Sequence, residues 1–264
     1  MILADSHTHL DQYPAQEIPE ILERADSVHV GPIICAGTTL ESSRVCVKMA
    51  REHSALYAGV GVHPMEVTTS MPGDEKLLMG LEELARSSAK VICISEIGLD
   101  YLPESPDVPS QHQMFREQIR LAKTLGLPVI FHSRESHSDV FRMLREEGAG
   151  DVGGVMHYFQ DDERTAREAI DGGFYLSLAR PLLRLPHLQE VSRELPLENL
   201  VLETDAAPQP FKKYRHNWTE PRHVRDVAEK LAELKGITVE EVAEVTTRNL
   251  AALLKLDLPA LPSA

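Results

Sequence analysis

The 264 residues predict an α/β chain folded as a (β/α)₈ barrel of the TIM type, with a metal site at the carboxyl ends of its strands. Three observations carry that expectation. Apolar, β-branched runs alternate eight times with amphipathic stretches, polar residues gather where those runs end, and eight βα units in about 250 residues is the arithmetic of such a barrel. A doubly wound open sheet also alternates strand and helix, but it would spread its polar strand ends along an edge, whereas a barrel gathers them around one mouth. No internal repeat is visible in the sequence. Residues 1–264 are expected to form one hydrolase-type domain with a short tail at 257–264.

Taken in order, the first strand is expected near 2–6, where an apolar run leads into His7 and His9. Residues two apart on a strand face one side, so both imidazoles aim at one point, and convergent neutral imidazoles suit a divalent metal. The second strand, near 31–36, precedes the helical stretch SSRVCVKMAREH. The third, near 56–62, runs into GVHP, with Gly59 and Gly61 in phase with His63 and leaving room beside its ring. The fourth, near 90–96, alternates Ile92, Ile94 and Glu96, which places a carboxylate on the interior face that the isoleucines share. The helix QHQMFREQIRLAKTLG follows, with Ser110 and Gln113 fitting a capping box and Gly126 a stop.

The fifth strand, near 127–132, ends in His132 and is followed by DVFRMLREEG, which stops at Gly148. The sixth, near 153–158, carries His157 and leads into DERTAREAIDGG, with its stop at Gly172. The seventh lies near 174–178, and the eighth, near 200–204, brings Glu203 and Asp205 into phase. Gly236 closes one late helix, and Thr238 with Glu241 opens the next.

Composition narrows the function classes. A formal charge of −14 argues against tracking a long polyanion, which needs many Lys and Arg contacts, but leaves room for a short anion held by metals and a local basic patch. Cys35, Cys46 and Cys93 are too few and too scattered for a disulfide scaffold or a zinc ribbon; Cys35 and Cys93 read as buried core. With no basic-then-apolar leader and no membrane-length apolar run, a cytoplasmic monomer without membrane contact is expected.

Two histidines on the first strand, one each on the fifth and sixth, and acids on the fourth and eighth surround the expected barrel axis. Each buried acid or imidazole costs several kcal/mol in desolvation, roughly, unless paired or metallated. Together they imply a compensating cation.

DSHTHLD, GVHP, SEIGLDY, LPVIFHSR, the sixth strand's HYF and LVLETD, in this order, resemble the TatD-type metal-dependent DNases of the amidohydrolase superfamily, from Asp5 to about Asn249. The resemblance implies a barrel with two divalent ions, Zn²⁺, Mn²⁺ or Mg²⁺. It assigns His7, His9 and Asp205 to one ion, His132 and His157 to the other, and Glu96 to the bridge between them. The activity expected on that basis is a DNase trimming single-stranded DNA, or RNA, from its 3′ end, since a barrel mouth admits a terminus more readily than the middle of a duplex, with metal-activated water and Asp205 as base.

Substrate contacts are expected from His63, Arg134, Tyr101 and Glu203, and from the segment FKKYRHNWTEPR, where Lys212, Arg215 and Trp218 combine cations with an aromatic ring. The chain departs from the family pattern in ETDAAP, RHNWTEP, HYFQD and HSRES, so its metal positions are intact while its loops are altered. The alternative is an amide or ester hydrolase of the same superfamily, such as an aminoacyl-tRNA deacylase.

Overall fold

A computed structural model describes residues 2–256, so the tail expected at 257–264 lies outside the described residues. Eight strands, β1 (Leu3–Thr8), β2 (Val30–Ala36), β3 (Leu56–Val60), β4 (Val91–Asp100), β5 (Val129–Arg134), β6 (Gly154–Met156), β7 (Phe174–Leu178) and β8 (Leu200–Leu202), lie in one sheet in chain order, each parallel to the next. The ends of that sheet meet. Thr8 bridges to Ala206, the His9 amide donates to the Ala206 carbonyl at 2.8 Å, and the Asp205 amide donates to the His7 carbonyl at 3.0 Å. The fold is a (β/α)₈ TIM barrel.

Helices α1 (Ile18–Asp26), α2 (Leu40–Glu52), α3 (Glu75–Arg86), α4 (Val108–Leu125), α5 (His137–Glu146), α6 (Glu163–Asp171), α7 (Pro186–Glu194) and α8 (Val224–Lys235) follow the strands, and α9 (Val239–Leu254) comes last. Side-chain alternation sorts the core into two layers. Outward residues such as Leu3, Ile33, Phe131 and Leu176 pack beneath the helices, while Ala4, Ile34, Ile92, Ile130, Val155 and Val201 fill the barrel interior. Leu250 and Leu254 of α9 join that inner cluster, and Thr247 accepts the Ala4 amide proton at 3.1 Å, so α9 packs against the inner layer at the end opposite the mouth.

Two local expectations need correction. Ile94 does not share the interior face with Ile92: it packs in the outer layer, because β4 slips register against both neighbours before Glu96 turns inward. The cap of α4 is Asp107, whose carboxylate accepts the Ser110 amide proton at 3.0 Å. Ser110 therefore lies inside the first turn, where Pro109 also needs no amide partner. Thr238 caps α9 as expected, and Gly126 (φ 64°) and Gly236 (φ 66°) end their helices in the left-handed region.

Candidate metal centre

Five imidazoles converge on one buried carboxylate. Glu96 Oε2 lies 3.3 Å from His7 Nε2 and 3.5 Å from His9 Nε2, while its Oε1 lies 3.3 Å from His63 Nε2, 3.3 Å from His132 Nδ1 and 2.8 Å from His157 Nε2. Asp205 Oδ1 stands 3.4 Å from His9 Nε2. Each oxygen of Glu96 thus has its own set of rings.

Hydrogen bonds at the far side of these rings fix their polarity. His9 donates from Nδ1 to the Ala36 carbonyl (3.2 Å), His132 from Nε2 to Asp100 (2.8 Å) and His157 from Nδ1 to Glu203 (3.2 Å). With that tautomer, assigned from the partners, the inner nitrogen of each ring presents a lone pair to Glu96. Lone pairs facing a carboxylate repel. Either each ring carries a second proton or a cation lies among them, and the donor set of imidazoles and carboxylates fits a divalent transition metal. His63 has the opposite polarity: its Nδ1 accepts the Met65 amide proton at 3.1 Å, so the neutral ring carries its proton on Nε2, facing the mouth. In that tautomer it offers a proton, not a lone pair, toward Glu96.

The charge states follow the same geometry. Burial pushes the Glu96 pKa up, but His63, His157 and His7 outweigh it and hold the carboxylate well below its ordinary range. Burial disfavours the His9 imidazolium, yet Glu96 and Asp205 raise its pKa to about 9. His132 and His157 are likewise raised against burial, the first by Asp100 and Glu96 and the second by Glu96 and Glu203. His7 alone is pushed down, by burial and by neighbouring His157. Its buried Nδ1 has no hydrogen-bond partner among the described residues.

The site opens into a cavity of about 580 Å³ lined by His9, Glu96, His132, His157 and Asp205 together with Arg134, His137, Tyr158 and Asp161, while His7 lies buried behind it. Three non-glycine residues at this mouth hold left-handed backbone: Glu135 (φ 55°), Tyr158 (φ 53°) and Asp205 (φ 50°). Such residues cluster where a side chain is aimed for function.

Residues 4–255 match the family described as TatD related DNase. The chain belongs to the TatD family. It is similar to the uncharacterized metal-dependent hydrolase YabD of Bacillus subtilis, with 37% identity over 97% of this chain and all of that protein. Human deoxyribonuclease TATDN3 is 31% identical over 94% of this chain and 92% of its own. The crystal structure of YjjV, a TatD homolog from Escherichia coli, superposes with a TM-score of 0.84 at 29% identity, covering 97% and 98% of the two chains. As a TatD protein, the chain is a metal-dependent hydrolase.

The structure brings the six expected ligands, His63 and Arg134 to this TatD mouth and takes others away. Glu203 is fully buried behind His157, accepting from Ser177 Oγ at 2.6 Å, so it supports that ring and has no open face for substrate. Arg134 grips Asp100 through Nε (2.7 Å) and Nη2 (2.6 Å), which makes Asp100 the buried link from Arg134 to His132. The sequence reading passed over Asp100, although it lies four residues beyond Glu96 on the same strand. Tyr101 donates to Asp139 at 2.7 Å, in a groove beside the mouth.

The basic segment after β8 divides. Arg215 is held by Glu17 (2.8 Å) and Glu220 (3.2 Å) and lies 4.5 Å above the Trp218 ring, which itself packs on the core. Both expected substrate contacts therefore build the loop's base, because Glu17, distant in sequence, and Glu220 within the segment consume the cation. Lys212 donates to the Asn217 carbonyl at 2.8 Å, while Phe211 (81% exposed) and Tyr214 stand out at the crest. Among the described residues no helix is long and apolar enough to cross a membrane.

Proposed function

We propose that this chain is a two-metal phosphodiesterase that shortens nucleic acids from an end, with single-stranded DNA as its substrate class. The division of Glu96 between two ring sets carries the two-ion reading: His7, His9 and Asp205 would hold one ion, His132 and His157 the other, and Glu96 would bridge them. Bound there, the ions supply a Lewis acid for a phosphoryl oxygen and lower the pKa of water. Mixed nitrogen and oxygen donors suit Zn²⁺ or Mn²⁺ better than Mg²⁺. The nucleic-acid assignment rests on the family description and on the human relative's name, and a confined barrel mouth favours an end over the middle of a duplex.

The chain's own side chains then divide the work. Asp205, at the open rim and beside His9, accepts the proton of the attacking water. His63 donates its Nε2 proton to a nonbridging phosphate oxygen, and Arg134 keeps Asp100 ionised behind His132 while offering its exposed edge to the same phosphate. Glu203 and Asp100 hold His157 and His132 in the tautomers a metal requires. Lys212 and the exposed Phe211 and Tyr214, on the loop that leaves β8, would take the outgoing strand.

The test is hydrolysis of a single-stranded oligonucleotide by metal-stripped protein refilled with Mg²⁺, Mn²⁺ or Zn²⁺, beside Glu96→Ala. Stepwise shortening that needs metal and falls at least about 1000-fold in the variant is expected, since one residue serves both ions. Two ions bound with no phosphodiester cleaved would overturn the proposal and favour the amide or ester hydrolase.

A further inference from the structure

Tyr158 directly follows His157 at the end of β6 and lines the mouth cavity with the ligand side chains. Its backbone is left-handed at φ 53°, a conformation that penalises any residue with a Cβ, yet a large aromatic side chain is kept there. Nothing in the structure uses the polar end of that side chain: among the described residues no hydrogen bond to its hydroxyl is formed, and its ring is half-buried, 5.9 Å from the His157 ring. The ring is fixed at one edge and open at the other.

The neighbouring strand end is basic. The Phe159 amide donates to the Ser177 carbonyl at 2.9 Å, which seats the turn Arg180–Leu183 between the ends of β6 and β8. Arg180 reaches Asp226 at 2.9 Å, whereas Arg184 is exposed and makes no ion pair among the described residues. In a chain of formal charge −14, two arginines on the turn after β7, next to the strand end that carries an open aromatic ring, are a specific feature.

We infer that Tyr158 is a specificity-determining residue, the platform on which the terminal base stacks, and that Arg184 takes the phosphate of the next nucleotide. This rests on the phosphodiesterase reading. Every base has a π-face, so such a platform gives affinity with little sequence preference, and a planar guanidinium beyond it suits a phosphate. The platform also sets register, because a stacked terminal base fixes which phosphate reaches His63 and the metal ligands.

The test uses metal-loaded protein and two single-stranded oligonucleotides that differ only in whether the terminal nucleotide carries a base or is abasic. The wild-type ratio of kcat/KM, base over abasic, is expected to fall about 10- to 100-fold in Tyr158→Ala, mainly through KM. Tyr158→Phe should retain the ratio, and Tyr158→Gly, which suits the left-handed backbone, should lose it with the fold intact. Arg184→Ala should weaken both oligonucleotides together and reduce the salt dependence of binding. A terminal 2-aminopurine on a cleavage-resistant linkage reads stacking without turnover. Fluorescence quenched by wild type but not by Tyr158→Ala supports the platform; an unchanged ratio in the Ala and Gly variants, or equal quenching, overturns it. If wild type cleaves neither oligonucleotide, the phosphodiesterase reading fails, and the quenching still decides whether Tyr158 stacks a base.

Discussion

The two oxygens of Glu96 face unlike halves of the site. On the Oε1 side, His132 and His157 are each backed by a buried carboxylate, Asp100 and Glu203. On the Oε2 side, His9 is backed by the Ala36 carbonyl, and His7 Nδ1 by no group among the described residues. A carboxylate behind an imidazole raises its basicity as a ligand more than a neutral carbonyl does. The Oε1 half should therefore hold its ion more tightly, leaving the more open half, with Asp205 at the rim, to exchange.

Proton release distinguishes the halves most sharply. His132 and His157 are both raised against burial, so an ion entering the Oε1 half meets two rings that hold their protons more tightly than usual; on the Oε2 side His9 is raised to about 9 while His7 is lowered, so only one ring does. Metal affinity should rise with pH until those groups deprotonate unaided. In a Mn²⁺ titration followed by calorimetry from pH 6 to 8, the affinity of the Oε1 step should rise more steeply with pH than that of the Oε2 step. Equal slopes would break the comparison. Metal-free stability runs the other way: the raised His9 contributes fully below its unfolded value, near 6.5, and that contribution is lost as pH rises through about 9.

A substitution behind one ring should touch only its own half. Glu203→Gln keeps the shape behind His157 but removes the charge, and the Oε1 ion should bind about 10- to 100-fold more weakly while the Oε2 ion changes little. Asp100→Asn should act on the same ion. Equal weakening of both ions would show that the shared bridge, not the backing acid, dominates.

The sequence made the ring set legible because strand periodicity alone aims His7 with His9 and ends β5 and β6 on imidazoles. It did not reveal polarity. Which nitrogen of His63 faces the mouth depends on the Met65 amide, and which side of β4 Ile94 takes depends on two register shifts. The basic loop misled for a related reason: a run of cations does not show which are consumed, and Glu17, far away in sequence, claims Arg215. The barrel and the gathering of its polar strand ends follow from local rules, while the supporting contacts follow from packing between distant strand ends.

The smallest effect lies one bond further out. Ser177 donates to Glu203 Oε2 at 2.6 Å and lies 3.0 Å from Ser6 Oγ, all within the closed interior. Removing a hydrogen bond to a buried carboxylate costs about 1.5–3 kcal/mol, but Glu203 still faces His157 Nδ1 at 3.2 Å. Ser177→Ala should therefore lower folding stability by that order and weaken the Oε1 ion less than about tenfold, in keeping with a step outside the backing acid. Denaturant unfolding and a metal titration on the same variant separate the two. A loss of metal as large as that of Glu203→Gln would mean that the hydroxyl, and not only the charge, keeps the His157 tautomer, and would extend the supporting network of the Oε1 half to β7.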